Sequence, residues 1–81
     1  MINVGDFVQY NGRLAAVVNE AEKTDVFGPR RMLLLFYNDD HSWNEVAADA
    51  LEQMPDFKMV KQGGCKSIVR AIYDDMTNGR F

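Results

Sequence analysis

Arg31-Met32-Leu33-Leu34-Leu35-Phe36-Tyr37-Asn38-Asp39-Asp40 sets six consecutive apolar residues between a basic start and a polar turn. A short apolar run bounded in this way reads as a central strand. Alternation sends Met32, Leu34 and Phe36 to one side and Leu33, Leu35 and Tyr37 to the other. Both sides are apolar, so the chain must cover this strand twice, once with a folded sheet and once with an element laid on its back. The inner side is expected to pack on Val8, Val17 and Val46. The outer side, with Leu33 and Leu35 buried beneath it, is expected to seat a helix.

Working outward, Gly5-Asp6-Phe7-Val8-Gln9-Tyr10 reads as a short strand closed by Asn11-Gly12, a strong hairpin signal. Arg13 to Asn19 returns as a second strand, in which Ala15 and Ala16 leave room for a close neighbour. Glu20 to Arg30 carries Glu20, Glu22 and Asp25 and closes on Gly28-Pro29, so it is expected to be a long loop. Val26 and Phe27 within it have two readings, a plug folded back into the core or an exposed contact point, and the plug is preferred.

Ser42 to Met54 also supports two readings. Trp43, Val46, Ala47, Ala50, Leu51 and Met54 recur at helical spacing, with Ser42 and Glu45 placed as a capping box and Pro55 as a stop. Equally, Ser42–Val46 fits the return strand of a hairpin, with Asp49-Ala50-Leu51 as one helical turn. Asp56 to Gln62 reads as a last, edge strand with outward lysines, broken by Gly63-Gly64. Beyond it Ile68, Val69, Ile72, Tyr73 and Met76 form one stripe of a helix over residues 67–77, opposite Lys66, Arg70, Asp74 and Asp75. Ser67 is the expected cap at its start and Asn78-Gly79 at its end.

The 81 residues suit one small domain, with residues 4–61 as its sheet and 66–78 as its helix. An apolar share of 47% with 26% charged residues fits a globular chain that is neither disordered nor membrane-embedded. No secretory leader or membrane-length apolar run is evident, and a cytoplasmic location is expected. The single cysteine, Cys65, has no partner for a disulfide or a zinc site. Residues 1–53 hold four basic and nine acidic side chains, net −5, while residues 54–81 hold five and three, net +2. An acidic body argues against non-specific nucleic-acid binding, and the basic tail leaves one opening for it.

The order of parts resembles an SH3-like small β-barrel of the KOW and Tudor type. Val4-Gly5-Asp6-Phe7-Val8-Gln9-Tyr10-Asn11-Gly12 with Ala15 and Val17 matches the barrel opening. Leu34 and Phe36, then Asn38-Asp39-Asp40, then Trp43, Val46 and Leu51 are similar to the third and fourth strands and the short helical turn before the fifth. The resemblance spans roughly residues 4–61 and implies a mainly β fold, a five-stranded antiparallel barrel plus a C-terminal helix. The alternative is an α+β chain with helices at 43–54 and 67–77. It also implies that Ser42–Val46 is a strand, and that the chain is a binding module and not an enzyme. Members that read methylated side chains use an aromatic cage with an acid; Tyr10, Tyr37 and Trp43 beside Asp39 and Asp40 supply those residue types.

Chemistry beyond binding finds little support in the spacing. His41, Cys65 and an aspartate have the residue types of a nucleophilic triad without its arrangement. The pairs Asp39-Asp40 and Asp74-Asp75 lack a third metal ligand, and Gly63-Gly64 lacks the context of a phosphate loop. No catalytic residue, metal or cofactor is therefore expected. The leading expectation is a protein-interaction adaptor, accessory subunit or regulator that uses Phe27, Tyr37, Asp39, Asp40 and Trp43. The alternative is a nucleic-acid module that uses Lys58, Lys61, Lys66 and Arg70, with Arg80 nearby. Self-association through Ile68, Ile72 and Met76 is a third course, since two-fold dimers are the commonest oligomers.

Overall fold

A computed structural model describes residues 1–81. Five antiparallel strands, β1 (Phe7–Tyr10), β2 (Arg13–Asp25), β3 (Gly28–Tyr37), β4 (Trp43–Ala47) and β5 (Lys58–Lys61), form one sheet in the order β4-β3-β2-β1-β5. Helix α1 (Ala48–Glu52) follows β4, and α2 (Lys66–Thr77) follows β5. The fold is mainly β with α, as the sequence suggests. The sheet is open, with β4 and β5 as its edges, and is compatible with a small barrel-like fold.

The Asn11-Gly12 turn forms as its sequence dictates. Asn11 and Gly12 have φ of 53° and 69°, the paired left-handed conformation that joins two twisted strands in two residues. The 43–54 ambiguity resolves as strand then helix. Trp43–Ala47 pairs with β3, and the one short helix begins at Ala48. Ser42 is therefore no helix cap; its hydroxyl instead bonds Asp40 Oδ1 at 2.6 Å.

Several expectations need correction. Residues 20–30 are not a loop: β2 runs on to Asp25 and β3 starts at Gly28, so only Val26 and Phe27 turn the chain. Residues 19–25 and 28–31 extend past β1, which pairs only 13–16, and past β4, which pairs only 32–36. Backbone ladder bonds need no apolar alternation, and ion pairs Glu20–Arg31 and Asp25–Arg30 across the ladder supply side-chain pairing in its place.

The faces of β3 are also the reverse of those expected. Leu33, Leu35 and Tyr37 pack inside, with Val8, Tyr10, Val17, Ile2, Ala48 and Leu51, with Val46 partly buried beside them. The helix lies on the other face, where Phe36, Ala16 and Val18 meet Cys65, Val69 and Met76, flanked by Leu34. With apolar residues on both sides of the strand, alternation defines two faces without saying which one α2 takes. Ala16 is fully buried, and its small side chain admits the helix.

On α2, Val69 and Met76 are buried, Ile72 and Tyr73 half-buried, and Ile68 exposed, so the apolar stripe is narrower than its sequence suggests. Cys65, not Ser67, precedes the first turn, and no side chain caps it. The other end closes as expected. Gly79, at φ 70°, donates its N–H to the Met76 carbonyl and Arg80 donates to the Asp75 carbonyl at 2.9 Å, the paired bonds of a Schellman stop.

Candidate binding surfaces

At the β3–β4 turn the Arg13 guanidinium makes two bonds to Asp39, 2.8 Å from Nε and 2.7 Å from NH2, and a third of 2.9 Å to Asp40. Its Cζ also stands 3.9 Å from the centroid of the Tyr37 ring. The acids and aromatic that suggested a cage thus already hold a cation from this chain. Asp39 titrates at about 2, lowered first by its bond to Arg13, and the Arg13 pKa rises for the same reason. Tyr37 is buried and its hydroxyl meets that of Tyr10 at 2.5 Å. Burial, then the Tyr10 bond, push its pKa up.

Trp43 is not part of this group. It lies opposite Phe36 in the ladder, and directly opposed residues share a face, so it stands on the side of the sheet away from Tyr37. It is half-exposed. Beside it, His41, held at φ 57°, stacks on Phe36 with ring centroids 5.7 Å apart, and Phe81 packs 4.9 Å from both rings.

Phe27 is at the other end of the molecule, the length of β3 away, about 30 Å at strand spacing. The core-plug expectation fails: Val26 and Phe27 are 92% and 90% exposed. A two-stranded arm beyond the sheet has no layer beneath its tip to fold onto. The tip is nevertheless ordered by local chemistry. Asp25 Oδ1 accepts the Phe27 N–H at 2.8 Å, and Gly28 takes a φ of 104° that a side chain would resist. Ion pairs Lys23–Glu45 and Arg30–Asp49 tie the arm to β4 and α1.

The basic side chains divide sharply. Arg13, Lys23, Arg30, Arg31 and Arg80 are in ion pairs, whereas Lys58, Lys61, Lys66 and Arg70 are exposed and unpaired. Lys58 and Lys61 stand on edge strand β5, and Lys66 and Arg70 lie one turn apart on α2. The α2 pair borders a groove of about 680 Å³, the largest in the molecule, between α2, β2 and the loops at Asn3–Asp6 and Gln62-Gly63.

Asp6, which the sequence showed only as part of a strand opening, is the polar centre of that region. It is 1% exposed, and its two oxygens accept the N–H groups of Asn3 (2.8 Å) and Gly63 (2.7 Å). It thereby joins the start of the chain to the β5–α2 loop across 57 residues of sequence. Its partners are backbone groups, and backbone donors leave no trace in residue type.

Cys65 is buried as a free thiol, and no cluster of three or more His, Cys, Asp or Glu is placed to hold a metal ion. No helix is long and apolar enough to cross a membrane. No family model, no curated protein and no solved structure matches the chain.

Proposed function

We propose that the chain is a non-catalytic, cytoplasmic protein-interaction module, an adaptor, accessory subunit or regulator, whose main contact is the tip of the β2–β3 arm. The observation that carries this reading is the pair Val26 and Phe27, over 90% and about 90% exposed on an anchored arm with nothing in the chain to cover them. A pre-ordered aromatic anchor loses little conformational freedom on docking, which favours affinity. The resemblance to SH3-like barrels, which mostly act by docking through loops and edges, supports the same reading. Trp43, Asp39 and Asp40 at the far end would form a second, weaker contact, because Arg13 already engages both acids.

The test is affinity capture from the native host's lysate at low and high salt, with wild type, Phe27→Ala and Trp43→Ala. Capture that persists in high salt and is lost with Phe27→Ala supports the arm; capture indifferent to Phe27 defeats it. Sedimentation as a 9.2 kDa particle would exclude a homodimer as the captured species.

A second reading, nucleic-acid binding, is favoured by one observation, that the four unpaired cations are Lys58, Lys61, Lys66 and Arg70. Its mark is retention of DNA or RNA at low salt that falls steeply as salt rises.

A further inference from the structure

The groove beside α2 has an apolar lining that neither reading uses. Its volume, about 680 Å³, lies within the range of small-ligand sites. Val4, Val18 and Val69 give it an apolar lining, with the Tyr73 ring alongside. The charged groups that face it are Asp6, Glu20, Lys66 and Arg70. Both acids are engaged, Asp6 by the two backbone N–H groups and Glu20 by Arg31. Lys66 and Arg70 are in no ion pair, and with Glu20 offset by Arg31 they leave the groove a net positive charge even when the Asp6 carboxylate is counted.

Lys66 is also positioned. Gly5, at φ 100°, lies so close beneath it that a Cβ there would stand 2.9 Å from Lys66 Cγ. The absent side chain gives the lysine stem a seat beside the groove that Lys66 lines. Tyr73 adds a donor, because its oxygen accepts an N–H of the Asn19 side-chain amide at 3.2 Å, which leaves its own O–H to donate. Cations and a hydroxyl donor above an apolar lining suit one kind of guest, an anionic group on an apolar body.

We propose that this groove binds a small amphipathic anion, a carboxylate or phosphate monoester carried on a ring or short hydrocarbon, with Lys66 and Arg70 on the anion and Val18 and Val69 against the body. The proposal is independent of the arm. It also differs from nucleic-acid binding, since a strand of nucleic acid would track onward over Lys58 and Lys61 whereas a small guest ends at Lys66.

The test follows backbone amide shifts of the full chain during titration with phenyl phosphate, phenylacetate and inorganic phosphate at fixed ionic strength. Expected are saturable shifts at Gly63, Lys66 and Arg70, with phenyl phosphate or phenylacetate binding roughly tenfold tighter than inorganic phosphate because the ring is buried. Which of the two binds tighter tells a phosphate guest from a carboxylate one. Lys66→Gln with Arg70→Gln should weaken binding roughly tenfold to a hundredfold while amide dispersion is kept. Lys58→Gln with Lys61→Gln should leave it unchanged. Shifts that never saturate, or an equal loss in the Lys58 and Lys61 variant, would overturn the proposal in favour of diffuse electrostatic attraction.

Discussion

Along β2 and β3 one antiparallel ladder passes through two environments. In its inner part Ala15, Ala16 and Val17 pair with Tyr37, Phe36 and Leu35, and all six are buried. In its outer part residues 22–25 are all exposed, and their partners at 28–31 are at most half-buried. Backbone bonding is continuous through both, so the ladder itself does not distinguish them. What differs is apolar burial, which carries most folding energy, against exposed ion pairs, each worth about 0–1 kcal/mol. The inner part should hold the protein together, and the outer part should be free to hold an apolar tip in solvent because folding does not depend on it.

The sharpest way to break this contrast is to truncate one side chain in each part. Leu35→Ala removes a fully buried side chain from the middle of the core and should cost about 3 kcal/mol in urea unfolding. Lys23→Ala removes only the exposed bridge to Glu45 and should cost under about 0.5 kcal/mol. Similar losses from the two would mean that the arm is part of the cooperative core.

This contrast also explains what could be read from the sequence. The inner ladder, the Asn11-Gly12 turn and α2 were legible because apolar period and turn chemistry write directly into residue type. The outer ladder was not, because Glu20, Glu22, Lys23 and Asp25 lack apolar alternation and Gly28-Pro29 looks like a loop. The placing of α2 on the Phe36 face depends on tertiary contacts that two equally apolar faces do not encode. Of the expected contact residues, Phe27 and Trp43 are exposed, but Tyr37 is buried, and Asp39 and Asp40 already bind Arg13. The groove was invisible because it is made by segments far apart in sequence.

A smaller effect separates the parts by alkaline titration. Tyr37 is buried against Tyr10 and its pKa is raised, so the folded state favours the neutral phenol. Its contribution is complete below the unfolded tyrosine value, near 10, and declines above it by up to about 1.4 kcal/mol per pH unit. Tyr37→Phe should flatten the fall in Tm between pH 9 and 11 relative to wild type. An unchanged slope would place the alkaline loss elsewhere in the chain.

Smaller again, and confined to the outer part, is the backbone at Gly28. Its φ of 104° is costly for any residue with a Cβ, although a Cβ would meet no atom. Gly28→Ala should therefore cost about 1 kcal/mol. If the arm opens separately from the core, that cost appears as faster amide exchange in residues 19–25 with Tm nearly constant. A matching drop in Tm would join the arm to the global unfolding unit.

The least effect is expected in acid, where both parts have a carboxylate held by arginine. Asp39 is lowered to about 2 by its bond to Arg13, and Asp49 is lowered by its bond to Arg30. A depressed carboxylate contributes stability above its unfolded value, near 3.9, and loses that contribution as pH falls toward the folded value. Both pairs are solvent-exposed, so each contribution is small. They should nevertheless register differently. Protonating Asp39 weakens two of the three carboxylate bonds that hold Arg13 to the β3–β4 turn at the inner end of the ladder, so Asp39→Asn should reduce the fall in Tm between pH 4 and pH 2. Protonating Asp49 releases one of the two ion pairs that tie the arm to the body, so Asp49→Asn should raise amide exchange in residues 19–25 at neutral pH and leave Tm as it was. If Asp49→Asn lowers Tm as well, the anchors contribute to the fold itself, and the exposed tip is held by the same cooperative unit as the core.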